Sequence, residues 1–117
     1  MLFGRGTPLY GSVSPANTKW HNPDIAIYPY DLERATQLLR SAGFSWNNTG
    51  ALIDREGHLV SFTLMTNKGN DIRNEMATIF KENMAAIGIE VELNFIDFGT
   101  LITKISDSFN YEACLLG

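Results

Sequence analysis

The chain has 117 residues, of which 44% are hydrophobic, which suits one domain with a modest core and makes disorder an unsuitable description. Thirteen acidic residues against nine basic ones give a formal charge of -4, and no lysine or arginine cluster occurs, so the basic footprint of a nucleic-acid-binding protein is missing. The longest apolar runs are far shorter than the roughly 20 residues of a membrane-spanning helix, and the first residues reach glycine and proline too soon for the apolar core of a signal peptide.

Residues 1–30 contain all four prolines and several glycines. This composition favours turns and extended backbone over helix or strand, and it predicts an irregular arm. Such a long irregular stretch is uncommon in a self-sufficient small domain, so we expect the arm to pack on something else or to begin within a longer protein. Residues 31–117 are expected to form a separate α/β unit.

A helix and a hairpin are predicted next. Asp31 can cap a helix with apolar spacing over the following residues, and Gly43 stands where a left-handed C-terminal cap is expected. Residues 54–57 have turn chemistry between two short apolar pairs. They predict a hairpin that leads into a strand over roughly residues 59–66.

The second half of the chain predicts two further helices and two further strands. A helix over residues 71–88 is indicated by an apolar stripe made of Ile72, Met76, Ile79, Phe80, Met84 and Ile87. Residues 89–95 alternate between apolar and polar side chains, which predicts a strand with one solvated face, either near a sheet edge or covered on one face only. A short helix after Asp97, a polar break over residues 106–110 and a last, well-buried strand over residues 111–116 complete the chain.

The predicted order from residue 59 is strand, helix, strand, helix, strand. This β-α-β-α-β order is typical of right-handed crossovers and predicts an α/β fold, three-layer-like, with a mainly parallel sheet. In such sheets the loops after the carboxyl ends of the strands line the ligand crevice. We therefore expect the loop "TNKGND", residues 66–71, and the tip of the last strand to share one edge of the sheet.

Two interpretations of this loop stay open. Gly69 would let a ligand approach the backbone, and Asn67 and Asn70 offer both donors and acceptors, which favours contact with a polar ligand. Alternatively, Asn70 or Asp71 caps the second helix and Gly69 makes the turn into it. A phosphate-binding loop is disfavoured, because neither the spaced glycines of a dinucleotide fold nor a Gly-Lys-Ser/Thr triplet is present.

The remaining reactive residue types indicate no catalytic, metal or cofactor site. His21 and His58 are far apart in sequence, and neither has a further ligand at metal-binding spacing. Asp54 and Glu56 flank a tight turn without the twelve-residue calcium loop of an EF-hand. Cys114 lies in an apolar run, where a thiol usually packs as a small hydrophobe, so an enzyme that uses Cys114 is the weakest alternative.

Two segments of the sequence resemble motifs of a known protein family. "YDLERATQLLRSAGF", residues 30–44, is similar to Tyr-Asp-Pro-x-x-Ala-x-x-Leu-Leu-x-x-Ala-Gly, and "NMAAIGIEVEL", residues 83–93, is similar to Leu-x-x-Ile-Gly-Ile-x-Val-x-Leu. Both patterns are typical of the extracytoplasmic solute-binding proteins of the peptide, nickel and opine group (family 5 type), the receptors of ATP-driven importers. Leu32 replaces the family's usual proline. Full members are several times longer and close two lobes over a ligand, so the chain resembles a fragment of the C-terminal, periplasmic binding protein-like lobe.

The resemblance implies the substrate-binding component of an ABC-type peptide or oligopeptide importer, extracytoplasmic in the periplasm or as a cell-surface lipoprotein, with no catalysis. The expected partners are a peptide or another small solute and the permease subunits, with no nucleic acid; the alternative is a ligand-sensing domain of a transcriptional regulator. The ligand-facing positions that it implies are Asn67, Gly69, Asn70, Ile72, Leu115 and Gly117. Leu115 is apolar where some members place a charged side chain. Because one wall of a cleft cannot exclude water, this chain alone is expected to bind solutes weakly and to self-associate.

Overall fold

The computed structural model describes residues 8–116, which divide into two compact units, residues 8–31 and residues 32–116. The first unit consists of turns and extended backbone, as expected where prolines fix φ and remove backbone donors. A turn is closed by the N–H groups of Trp20 and His21, which donate to the carbonyl oxygen of Asn17 at 3.1 and 2.9 Å. The His21 ring nitrogen Nδ1 lies 3.1 Å from the carbonyl oxygen of Val13.

The second unit combines a three-stranded parallel sheet with a separate two-stranded antiparallel ribbon. Its elements, in chain order, are α1 (Leu32–Ser41), β1 (Ser45–Trp46), β2 (Leu52–Ile53), β3 (Ser61–Asn67), α2 (Asp71–Ala85), β4 (Glu90–Ile96), α3 (Phe98–Thr103), a π-helical segment (Lys104–Ser108) and β5 (Ala113–Cys114). None of the helices in the described residues is both long enough and apolar enough to cross a membrane. The predicted α/β class is confirmed.

β3 is the central strand of the parallel sheet, with β4 on one side and β5 on the other. Asn67 at the end of β3 pairs with Ile96 at the end of β4, and Met65 pairs with Cys114 in β5. Both pairings are parallel, so the three strands end at the same edge of the sheet. The crossovers inferred from the sequence therefore bring the loop after β3 and the tip of β5 to one edge.

The two helices that follow β3 and β4 lie on opposite faces of the sheet. Successive residues of a strand point to opposite faces, so Leu64 and Met65 mark the two faces of β3. On one face, Leu64, Ala77 of α2 and Val91 form a cluster with exposed fractions of 6%, 0% and 2%. On the other face, Met65 lines a cavity of about 400 Å³ together with Lys104, which directly follows α3. The chain thus moves outward from β3 to β4 on one face and returns past β3 to β5 on the other.

The antiparallel ribbon packs at the opposite, amino edge of the sheet, where α2 ends. Trp46 Nε1 donates to the carbonyl oxygen of Ile87 at 2.9 Å, and the N–H of Leu52 donates to the carbonyl oxygen of Gly88 at 2.7 Å. Gly88 has a φ of +82°, and a Cβ added there would lie 2.5 Å from the carbonyl oxygen of Gly50. Glycine is required at this position both for the backbone conformation and for the close approach.

Helix α1 ends as the sequence predicts. Gly43 has a φ of +94°, its N–H donates to the Arg40 carbonyl at 3.0 Å, and the N–H of Phe44 reaches back to the Leu39 carbonyl at 3.0 Å. These two bonds form a Schellman motif, which satisfies carbonyl groups at the helix end. The predicted turn over residues 54–57 is also present, and it closes with Asp54 N–H donating to the His58 carbonyl at 2.9 Å. The strand that follows begins at residue 61 and not at 59.

The apolar stripe predicted for the second helix is wrong at its beginning. Ile72 is 64% exposed and Met76 is 46% exposed, whereas Ala77 is fully buried. The face toward the sheet passes through Ala77 and Met84, which packs against the core cluster. A small residue at the contact lets the helix lie close to the sheet, and this turns the neighbouring large side chains outward.

The end of the chain also differs from the prediction. The supposed polar break is partly helical, since Lys104–Ser108 continue α3 as a π-helical segment that ends at Phe109, a non-glycine residue with a φ of 53°. Ser106 Oγ donates to the carbonyl oxygen of Ile102 at 2.8 Å, so its polar group is satisfied by the helix. The last strand is short and half-buried, not well buried, because Ala113–Cys114 form an edge strand that is covered less than a central strand.

Candidate functional site

The carboxyl edge of the parallel sheet is the candidate site. We use this name for the loop over residues 67–70, residues 96–98 and residue 115. The N–H of Lys68 donates to the carbonyl oxygen of Ile96 at 2.8 Å, so the loops after β3 and β4 start side by side. They then lead to helices on opposite faces of the sheet, and the region between two such loops is where open α/β sheets bind ligands.

The loop after β3 enters α2 through a helix cap. Asn70 has extended backbone, with φ -123° and ψ 99°, and its Oδ1 accepts a hydrogen bond from the N–H of Arg73 at 3.0 Å. Gly69 has a φ of +82°, and a Cβ added there would meet nothing within 4 Å. The capping interpretation of Asn70 is therefore confirmed. The backbone of Gly69 faces open space, which leaves it accessible to a ligand.

The side chain of Asn67 is used within the loop. Its Oδ1 accepts a hydrogen bond from the guanidinium group of Arg73, and its Nδ2 donates to the carbonyl oxygen of Lys68 at 3.2 Å. Asn67 and Arg73 are both half-buried. In this arrangement both functional atoms of the Asn67 amide have a partner in the protein.

The apolar positions implied by the resemblance lie at the same edge with different exposures. Ile72 is 64% exposed at the start of α2, and Leu115 is half-buried. The backbone of Leu115 is fixed to β3, because its N–H donates to the Met65 carbonyl and its carbonyl accepts from Thr66 Oγ1, both at 2.9 Å. Gly117 lies outside the described residues.

The loop after β4 adds two residues that the sequence interpretation did not include in the site. Asp97 caps α3 by accepting a hydrogen bond from the N–H of Gly99 at 3.0 Å, and the side chain of Phe98 is 52% exposed beside it. An aspartate before a short helix is a recognisable cap signal in sequence. Its place beside the loop after β3 could be inferred only once the parallel register was known.

Away from this edge, Asp54 and His58 form a hydrogen-bonded group at the turn before β3. The pKa of Asp54 is lowered because its carboxylate accepts hydrogen bonds from the N–H of His58 at 2.9 Å, from the His58 ring at 3.1 Å and from the N–H of Glu56 at 2.8 Å. These groups stabilise the turn before β3, at the other end of the sheet. Within residues 8–116, no three His, Cys, Asp or Glu side chains are grouped so that they could hold a metal ion.

Comparison with known proteins identifies the family. All of residues 1–117 match the family described as bacterial extracellular solute-binding proteins, family 5, middle region. The chain belongs to family 5 of the bacterial extracellular solute-binding proteins. The resemblance seen in the sequence is therefore confirmed.

Two named relatives match almost all of the chain. The oligopeptide-binding protein AppA of Bacillus subtilis is 31% identical over 121 residues, which cover 100% of this chain and 22% of AppA. A probable ABC transporter-binding protein of Deinococcus radiodurans is 30% identical over 122 residues, which cover 99% of this chain and 20% of that protein. The chain thus spans about a fifth of the length of these relatives.

Several solved structures share the fold of this chain. AppA in complex with a nonapeptide superposes with a TM-score of 0.72 and 31% identity, over 83% of this chain and 20% of AppA. NikZ of Campylobacter jejuni in complex with Ni(L-His) superposes with a TM-score of 0.70 and 26% identity, over 83% of this chain and 19% of NikZ. The oligopeptide-binding protein of Thermus thermophilus in complex with a pentapeptide superposes with a TM-score of 0.69 and 27% identity, over 82% of this chain and 17% of that protein.

Proposed function

We propose that this chain is a lobe segment of the substrate-binding component of an ABC-type peptide importer, and that it binds its ligand at the carboxyl edge without catalysing a reaction. The observation that carries this proposal is the common carboxyl edge, where the adjacent loops after β3 and β4 separate toward opposite faces of the sheet. The named relatives, an oligopeptide-binding protein and a probable ABC transporter-binding protein, support transport over the alternative of a regulator's sensing domain.

The chemistry of the carboxyl edge suits an extended peptide. The exposed backbone at Gly69 can meet the main chain of a ligand, and the exposed side chains of Ile72 and Phe98 offer apolar contacts to its side chains. Leu115, directly after β5, adds a half-buried apolar position that also packs against the core cluster. We therefore expect the ligand side chains nearest this edge to be uncharged.

The proposal extends to the cellular context and to the chain itself. Membership in an extracellular family supports a location outside the cytoplasmic membrane, with permease subunits as partners. We also propose that residues 1–30 serve as an arm that is distinct from the α/β lobe over residues 31–117. In the intact receptor a second lobe would close over the edge, so the isolated chain should bind peptides weakly and should self-associate through uncovered surface.

Isothermal titration of the full-length protein tests the proposal. A pentapeptide, a nonapeptide and a nickel–histidine complex serve as probes, and we expect at least one peptide to bind with a Kd of about 1 µM or lower, which is about -8 kcal/mol. If neither peptide binds while the protein is folded, the assignment to peptide import is wrong. Binding of the nickel complex alone would reassign the ligand class.

Two matched phenylalanine variants locate the binding surface. Phe98 is 52% exposed at the carboxyl edge, and Phe109 is 69% exposed after the π-helical segment, where the chain has returned to the amino edge. Phe98→Ala should weaken peptide binding about tenfold, because it removes apolar area from the ligand contact. Phe109→Ala should leave the Kd unchanged. Equal effects of the two substitutions would contradict the proposed location.

A further inference from the structure

Arg73 connects the two ends of the loop after β3. Its backbone N–H is bound by Oδ1 of Asn70, the last residue of the loop, and its guanidinium group donates to Oδ1 of Asn67, the first. The residue lies in the first turn of α2 and is half-buried. One residue of the helix is therefore hydrogen-bonded to both sides of the turn that contains Gly69.

The two bonds are separable by mutation. The cap uses the backbone N–H of Arg73, so it is retained when the side chain is replaced by alanine or lysine, as is the bond from the Asn74 N–H to the Asn70 carbonyl at 3.0 Å. The guanidinium bond alone fixes the amide of Asn67. Without it, the Asn67 side chain keeps only its donation to the Lys68 carbonyl, and the left-handed turn at Gly69 loses its connection to α2 on one side.

We propose that Arg73 is a positioning residue for ligand binding, which acts by holding Asn67 so that the loop is preorganised at the carboxyl edge. This inference rests on the proposed function. Asn67 then affects ligand binding through the conformation of the loop, since Arg73 of α2 and the carbonyl group of Lys68 already bind both functional atoms of its amide. A preorganised loop raises affinity because its conformational entropy is lost on folding and not on binding.

A double-mutant cycle in the full-length protein tests this role, with the nonapeptide as the probe. We expect Asn67→Ala and Arg73→Ala each to weaken binding about tenfold, the equivalent of about 1.4 kcal/mol, and the double variant to bind no more weakly than either single variant. Arg73→Lys should restore part of the affinity, because an ammonium group can still donate to Asn67 Oδ1. Hydrogen exchange at residues 68–70 of the ligand-free protein should be faster in Arg73→Ala.

Arg55→Ala is the matched control. It also removes one guanidinium hydrogen bond, that from Arg55 Nη2 to the Ala42 carbonyl at 2.9 Å, but at the end of α1 and away from the carboxyl edge. Its Kd for the nonapeptide and its exchange at residues 68–70 should equal those of the wild type. A loss of affinity in this variant as large as that in Arg73→Ala would overturn the proposal.

Two other results would overturn the positioning role. If Arg73→Ala weakens binding equally in the Asn67→Ala background, Arg73 contacts the ligand directly. If Arg73→Ala changes neither the Kd nor the exchange rates, the hydrogen bond from Arg73 to Asn67 has no functional effect. If the wild type binds neither peptide, the proposed function fails separately, and the exchange measurement alone decides whether Arg73 orders the loop.

Discussion

Gly88 and Gly69 have the same φ of +82° but different surroundings. A Cβ at Gly69 would meet no atom within 4 Å. A Cβ at Gly88 would lie 2.5 Å from the Gly50 carbonyl oxygen, 2.8 Å from the Leu52 nitrogen and 2.9 Å from Trp46 Nε1. Substituting each glycine by alanine therefore separates the cost of a left-handed backbone from the cost of a close contact.

Left-handed backbone costs an alanine about 1–2 kcal/mol, and both variants should lose this amount. In Gly88→Ala the contact atoms are backbone and an indole ring that cannot simply move aside. Relieving these contacts would move the ribbon away from the end of α2. That movement would disrupt the hydrogen bonds from the Leu52 N–H to the Gly88 carbonyl at 2.7 Å and from Trp46 Nε1 to the Ile87 carbonyl at 2.9 Å. At about 1 kcal/mol for each bond, we expect Gly88→Ala to lower the free energy of unfolding by about 3–4 kcal/mol.

Urea unfolding of the two variants, followed by tryptophan fluorescence and circular dichroism, measures the difference. We expect Gly88→Ala to lose about 2 kcal/mol more than Gly69→Ala, a large share of the 5–15 kcal/mol that is typical of a folded domain. Peptide binding should show the opposite order, because only Gly69 lies at the carboxyl edge. Equal losses of stability would refute the packing of the ribbon against the end of α2.

Two further predictions concern the core and the turn before β3. Leu101→Ala should lower the free energy of unfolding by about 2–5 kcal/mol, because Leu101 is fully buried. Ile102 is 39% exposed, so Ile102→Ala should lower it much less in the same urea titration. Similar losses in the two variants would mean that α3 does not pack as described. Asp54→Asn should lower the melting temperature at neutral pH, since the lowered pKa of Asp54 stabilises the fold above the ordinary carboxyl range, and the difference should vanish as the pH falls through that lowered pKa. A difference that is the same at neutral and acid pH would contradict this account.

The features that the sequence predicted well depend on local chemistry. The left-handed glycines at Gly43 and Gly88 end two helices, and Asn70 caps the second, because a few neighbouring residues settle each conformation. The order of strands and helices could be predicted because apolar residues recur with one period in a helix and with another in a strand. That order predicted parallel strands and a common carboxyl edge, since crossovers have one hand.

Other features were decided by tertiary packing. Ile72 and Met76 satisfy a helical stripe as well as Ala77 does, and only contact with the sheet selects the side that is buried. Phe98 carries no signal of its own in the sequence, because its place beside the loop after β3 depends on the pairing of β4 with β3. The bond from Arg73 to Asn67 likewise requires a fixed angle between the end of a strand and the start of a helix. Local patterns determine which elements form, whereas the shape of the surfaces in contact determines which side chains are left to meet a ligand.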